Sequence, residues 1–371
     1  MVQYGTMNIN GVCTQNIHDR PNMREDLDKG SRTVRKEGSR TVPKEGTGTL
    51  SLMLKVREYL EPKPIQCSSC AGWIIFYLFC LEGISGTLLL LYYCPTVSEA
   101  YRSIQHITNT IHYGWLIRGI HIWGAHLLVI SLMLHLTQKF IIQSHRRISR
   151  FTWALGILMM VLVGIFGATG YLLSWTQASY WATTFITQLS TAIPLIGEPI
   201  KILIRGGSDI SQITLSRFFA LHILIIPFFF SSLAGLHIVC ATRSLIPRDL
   251  LFQVMVLLII ISILFSLSTF FPPHIYPKAD PFNSILDIKP EWYFLASYEI
   301  FQLLRNIQPG RQSVSIILGI LFHLGGFALV LLVPFFTSLL EKRKQIKFPA
   351  LALLTIGLLI FLTFTILGAY S

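Results

Sequence analysis

Charge is what this sequence has least of. Only 13% of its 371 residues are Asp, Glu, Lys or Arg, roughly half the share in an ordinary soluble domain. That excludes a water-soluble globular chain. Acidic residues are scarcest, 18 against 30 Lys and Arg. The six cysteines (13, 67, 70, 80, 94 and 240) show no spacing of a secreted disulfide scaffold. No cleavable signal peptide is evident.

What fills the chain instead is apolar sequence, 52% of all residues. Several windows of about 20 residues are almost free of charge, the length that crosses a bilayer core of roughly 30 Å. The pattern predicts an all-α, polytopic membrane protein with seven spans, near 69–92, 113–138, 152–173, 217–241, 250–271, 313–337 and 348–369. Three short loops are basic: 139–150 holds Lys139, Arg146, Arg147 and Arg150, 242–249 holds Arg243 and Arg248, and 341–347 holds Lys342, Arg343, Lys344 and Lys347. The loop between the first two spans offers mainly Arg102. By the positive-inside rule the basic loops face the cytoplasm, and so does the amino terminus. The net charge of +12 then reads as an orientation signal, with no nucleic acid needed to explain it.

Residues 1–50 belong to a different regime. GSRTVRKE (30–37) is followed directly by GSRTVPKE (38–45). So polar a repeat cannot bury enough surface to offset ordering entropy, and the expectation is a disordered tail. SLMLKVREYLEP (51–62) alternates apolar and charged residues at helical spacing, so 51–65 is expected as an amphipathic helix on the membrane surface, with a plain linker helix the alternative.

Ionisable side chains at membrane depth are costly and usually functional. The second span carries His121 and His135, 14 residues apart, and the fourth carries His222 and His237, 15 apart. At about 100° and 1.5 Å per residue, each pair shares one helix face, separated by about 21 Å along the axis. Two such helices side by side present two imidazoles at each of two heights, the axial ligation of a bis-histidine b-type haem. A lone histidine in a span is more often an interhelical hydrogen bonder; four at matched heights suggest a cofactor. Gly72 and Gly86 in the first span, and Gly156 and Gly170 in the third, repeat the 14-residue interval. Bare glycine faces at both heights would admit a macrocycle, where small-residue packing would explain any one of them. A four-helix bundle holding two stacked b-type haems is the expected architecture.

These residues, together with YYCPTVSEAYRSIQHI (92–107), GWLIRGIH (114–121), GATGYLLSW (167–175), SYWA (179–182), IPLIGEPI (193–200), LSRFFALH (215–222) and the PEWY motif in ADPFNSILDIKPEWYF (279–294), resemble the cytochrome b/b6 family of quinol-oxidising complexes. The resemblance runs from about residue 66 to the end. It implies a b6-like di-haem domain over 66–245, fused to a three-helix, subunit-IV-like domain over 246–371. His121 and His222 would ligate the outer haem, His135 and His237 the cytoplasmic one. Arg118, and likewise Arg217, would pair a haem propionate, unless they merely snorkel to the interface. Pro290, Glu291, Trp292 and Tyr293 would border the outer quinol site, where a buried carboxylate accepts a proton released by quinol.

Cys70 falls where the b6 branch attaches an extra haem through a thioether. Cys67-Ser-Ser-Cys70 lacks the following histidine of the usual haem-attachment signature, so an inert thiol and a Cys67–Cys70 redox pair stay open beside a third haem. The sequence also departs from the family pattern. Trp73 replaces a glycine near Cys70, Gln138 replaces a propionate-pairing arginine whose place Lys139 or Arg243 would take, and Ser174 replaces a proline and would loosen the outer site. Glu82 stands where glutamine is usual, and His126 where a small residue is usual.

The implied activity is that of a quinol:cytochrome c or plastocyanin-type reductase in an energy-transducing membrane, bacterial inner or equivalent. Quinol and quinone would be the substrates. A Rieske iron–sulfur protein, a c-type cytochrome or similar acceptor, membrane lipid and a second copy in a homodimer would be the partners. Electron transfer between the haem heights spans about 21 of 30 Å, or about 1.6 kcal/mol per 100 mV of membrane potential. A di-haem anchor of another quinone-linked oxidoreductase shares the paired histidines but lacks PEWY. A histidine-dependent transporter would carry no haem.

Overall fold

The computed structural model describes residues 70–142, 149–242, 250–283, 289–307, 310–342 and 349–370. The repeat tail, the surface-helix segment and Arg243 lie outside the described residues, as does the Cys70 side chain. Helices and one isolated antiparallel bridge, Thr176 to Lys278, make up the regular structure among the described residues.

Among the described residues, seven helices are long and apolar enough to cross a bilayer, and each falls on an expected span. They are α1 (Cys70–Leu90), α3 (Gly114–Ile141), α4 (Arg150–Leu173), the continuous run of α7 (Gln212–Ala220) into α8 (Ile226–Thr242), α9 (Leu250–Phe270), α11 (Gln312–Lys342) and α12 (Pro349–Tyr370). A lipid-facing segment must satisfy its backbone internally, so uncharged runs of this length form helices. Between the spans lie shorter helices that the hydropathy pattern does not announce: α2 (Ala100–Asn109), α5 (Gln177–Gln188), α6 (Gly197–Arg205) and α10 (Trp292–Ile307).

Local chemistry sets the corners. Tyr113 takes a left-handed φ of 59°, and Gly114 lies against the carbonyl of Ile107, where a Cβ has no room, so α2 turns directly into α3. Ser149 caps α4 by accepting from the Thr152 amide at 3.0 Å. Thr176 and Ser179 form a reciprocal capping box at the start of α5.

The bundle is built from two helix pairs. α1 packs along α3, and α4 along α7–α8. A central cluster joins the pairs: Leu78 of α1, Leu128 of α3, Val163 of α4 and Phe230 of α8, together with Leu264 of α9. α9 lies close on α3, where Gly119 leaves just enough room for the buried Ser268. Trp123 Nε1 fixes the end of that contact by donating to the Phe271 carbonyl at 2.9 Å.

Candidate functional site

The four histidines meet in the pairs the spacing predicts. His121 of α3 faces His222 with ring centres 6.4 Å apart and planes at 83°. Two imidazoles stand about that far apart when one metal lies between their nitrogens at about 2 Å from each. Nearer the other end, His135 and His237 line one apolar cavity of about 380 Å³, walled by residues of all four bundle helices.

The second ring nitrogens reveal which atom is free to ligate. His222 Nδ1 lies 3.2 Å from the Phe166 carbonyl, and His237 Nδ1 lies 3.1 Å from that of Thr152. A carbonyl only accepts, so both Nδ1 atoms carry the proton and both Nε2 atoms keep a lone pair for a metal. At His121, Nδ1 approaches Ser85 Oγ at 3.0 Å, and that hydroxyl already donates to the Leu81 carbonyl at 2.8 Å. It therefore accepts from His121, with the same outcome. His135 Nδ1 is buried and has no hydrogen-bond partner among the described residues. This donor set fits two bis-histidine haems.

The glycines do something more specific than the sequence suggests. The sequence expectation is a bare wall for a macrocycle, and beside each bare position lies an imidazole. A Cβ on Gly72 would meet His135 at 3.5 Å, on Gly86 His121 at 3.1 Å, on Gly156 His237 at 3.2 Å, and on Gly170 His222 at 2.5 Å. Each glycine seats one histidine ring against the partner helix of its pair. Between the two heights, Phe79, Phe166 and Phe230 form an aromatic layer, with Phe79 and Phe230 centroids only 4.4 Å apart.

His222 lies in a short π-helical turn, Leu221–Ile225, where α7 passes into α8. A π turn takes up one extra residue, a device common at functional sites. It reconciles the 15-residue interval here with the 14-residue interval in α3, so both pairs stay in register.

The PEWY segment opens α10. Pro290, Glu291, Trp292 and Tyr293 are all half-buried. The Tyr293 hydroxyl lies against Gly167 of α4, where a Cβ would meet it at 3.0 Å. Burial pushes the Glu291 carboxyl above the usual carboxylate range, and burial followed by the nearby Glu291 raises the Tyr293 phenol. Buttresses hold the segment: Lys289 Nζ donates to the Ala369 carbonyl at 2.9 Å, and the buried Gln177 accepts from the Asp280 amide at 2.6 Å and donates to the carbonyls of Asp280 and Asn283. Ser174, expected to loosen this region, donates to the Tyr171 carbonyl at 2.9 Å and approaches Ser179 Oγ at 3.3 Å.

Other departures from the family pattern acquire partners. Glu82 Oε2 lies 3.1 Å from His121 Nδ1, so a carboxyl backs an outer ligand ring, while its Oε1 rests against Gly124 without a hydrogen bond among the described residues. Trp73 and Lys139 line the inner cavity. His126, for which the sequence offered no account, accepts from Trp292 Nε1 at 3.1 Å. Arg118, expected at a propionate, is buried and donates to the carbonyls of Pro273 and His274 at 3.0 and 3.1 Å. Arg217, expected to act likewise, donates to the Leu203 carbonyl near the end of α6. Nothing in the spacing announces these three carbonyl contacts.

Comparison with known proteins identifies the family. Residues 56–244 match the family model described as cytochrome b/b6/petB, and residues 278–371 match that of cytochrome b (C-terminal)/b6/petD. Cytochrome b6 of Mesostigma viride is 39% identical over 170 residues, 46% of this chain and 79% of that protein. A cytochrome bc complex cytochrome b subunit from Chlorobaculum thiosulfatiphilum is 31% identical over 344 residues, covering 85% of this chain and 78% of the relative. Among solved structures, a chain of a hyperthermophilic respiratory Complex III superposes with a TM-score of 0.66 at 22% identity, over 87% of this chain and 97% of that one. An integral membrane chain with paired imidazoles at two depths, matched along both its halves, belongs to the cytochrome b/b6 family, as a cytochrome b subunit of the bc/b6f type.

Proposed function

We propose that this chain is the quinol-oxidising membrane subunit of a quinol:cytochrome c or plastocyanin-type reductase, holding one b-type haem between His121 and His222 and a second between His135 and His237. The observation that carries the reading is the outer imidazole pair, 6.4 Å apart, with each Nδ1 engaged by an acceptor and each Nε2 left to ligate. Bound there, the haems supply reversible one-electron chemistry at two membrane depths. The protein supplies the rest. Glu291, its carboxyl made basic by a low-dielectric wall, takes a proton from a quinol hydroxyl, and Tyr293 closes the site against Gly167. Conversion of quinol to quinone releases two protons and two electrons; one electron leaves for a Rieske iron–sulfur partner and a c-type or similar acceptor, the other crosses the bundle toward quinone on the cytoplasmic side.

In this reading 66–245 is the di-haem domain and 246–371 the subunit-IV-like domain, in a lipid-embedded homodimer with the amino terminus cytoplasmic. A third haem on Cys70 belongs to the same proposal. Redox-difference spectra of the purified complex test both points. Two b-type signals are expected, and His135→Ala or His237→Ala removes one of them; persistence of both in either variant overturns the reading. On a denaturing gel of the same samples, haem stain on this chain is expected to vanish in Cys70→Ala.

A further inference from the structure

His126 lies on α3 five residues beyond His121, at a depth where a polar ring needs a reason. Its reason is Trp292. The indole Nε1–H donates to His126 Nδ1 at 3.1 Å, joining the middle of the second span to the PEWY segment, 166 residues away in sequence. The same imidazole lies 6.1 Å from the Tyr293 ring and 5.5 Å from that of Trp123. His126 is the one bundle histidine that bonds the quinol-site motif itself rather than a helix wall behind a ligand.

The chemistry of the bond fixes the ring's state. An indole N–H can only donate, so Nδ1 must offer a lone pair, and the neutral ring then carries its proton on Nε2. An imidazolium would present hydrogen on both nitrogens and lose the indole. His126 therefore cannot both accept a quinol proton and keep Trp292 in place.

We propose that His126 is a positioning residue of the quinol-oxidation site: through Nδ1 it anchors the Trp292 indole and so fixes the place of its neighbours Glu291 and Tyr293, leaving proton acceptance to Glu291. The proposal rests on the quinol-site reading above and deepens it.

The test compares three replacements in the whole complex. Asn places its Oδ1 where Nδ1 stands and keeps an acceptor for the indole; Gln places its amide further out, and Phe offers none. His126→Phe and His126→Gln are expected to raise KM for a short-chain quinol about tenfold, the scale of one lost buried hydrogen bond, with both b-type signals intact. His126→Asn is expected to restore KM to within about twofold. Ultraviolet resonance Raman supplies a readout independent of turnover: the indole N–H band assigned to Trp292 by Trp292→Phe subtraction should shift in the Phe and Gln variants and stay in Asn. A wild-type KM in His126→Phe, or an Asn variant as impaired as Phe, overturns the proposal. If the wild-type complex oxidises no quinol, the quinol-site reading falls and takes the proposal with it, even where the Raman band moves as described.

Discussion

In the proposed function Glu291 concentrates the chemistry of the outer site into one side chain. Burial raises its carboxyl above the range of a free glutamate, and a proton acceptor works only when ionised. Turnover should therefore fall as pH drops through that raised value, with an acid limb lying above about 4.3. Glu291→Gln should flatten the limb and lower kcat/KM by about 10²- to 10⁴-fold; steady-state rates across pH check both, and an unchanged limb in the variant would assign the proton to another group. PEWY was legible as a motif, but its supports were not. Lys289 ties its start to Ala369, Gln177 fastens the Asp280–Asn283 stretch before it, and His126 reaches Trp292 from α3; no local pattern records a contact closed by folding. Ser174 shows the same limit: losing a proline suggests slack, and the bond of its hydroxyl to the Tyr171 carbonyl forms only in the folded turn.

Among elements, the α7–α8 span shows how far periodicity can be trusted. Intervals of 14 and 15 residues both return to one face of an ideal helix, so the heights of the four histidines were readable from the sequence. The π turn at Leu221–Ile225 was not, because a single extra residue leaves the apolar pattern of a lipid-facing helix unchanged. Deleting Leu224, which is 66% exposed, should anneal the turn into α-helix and keep both b-type signals. Inserting one alanine after Phe229 should turn His237 by about 100° and remove the inner signal alone. Redox-difference spectra of the two variants decide the matter; an insertion that keeps both signals would mean the turn does not set the register. The glycine intervals were legible too, but not the imidazole beside each, since sequence spacing gives height and face and not which neighbour arrives there.

At the scale of the whole molecule, we propose from the charge asymmetry of the loops and the order of the spans that the basic loops face the cytoplasm. Arg102 on α2 has a side chain 70% exposed and in that proposal lies on the opposite side. A cysteine placed there should react with a membrane-impermeant maleimide in right-side-out vesicles and stay unlabelled in inverted ones, relative to the parent; the reverse pattern would invert the assignment. Seven spans were readable because each is an unbroken apolar run. The connecting helices α2, α5, α6 and α10 were not, being too short and too mixed to rise above the spans beside them.

The phenyl layer of Phe79, Phe166 and Phe230 has a bearing on energy conservation. Its three rings offer water no hydrogen bond. In the proposed reading the bundle is an insulated cable: it lets reducing equivalents through, and the dry layer denies hydronium a return path that would short-circuit the gradient.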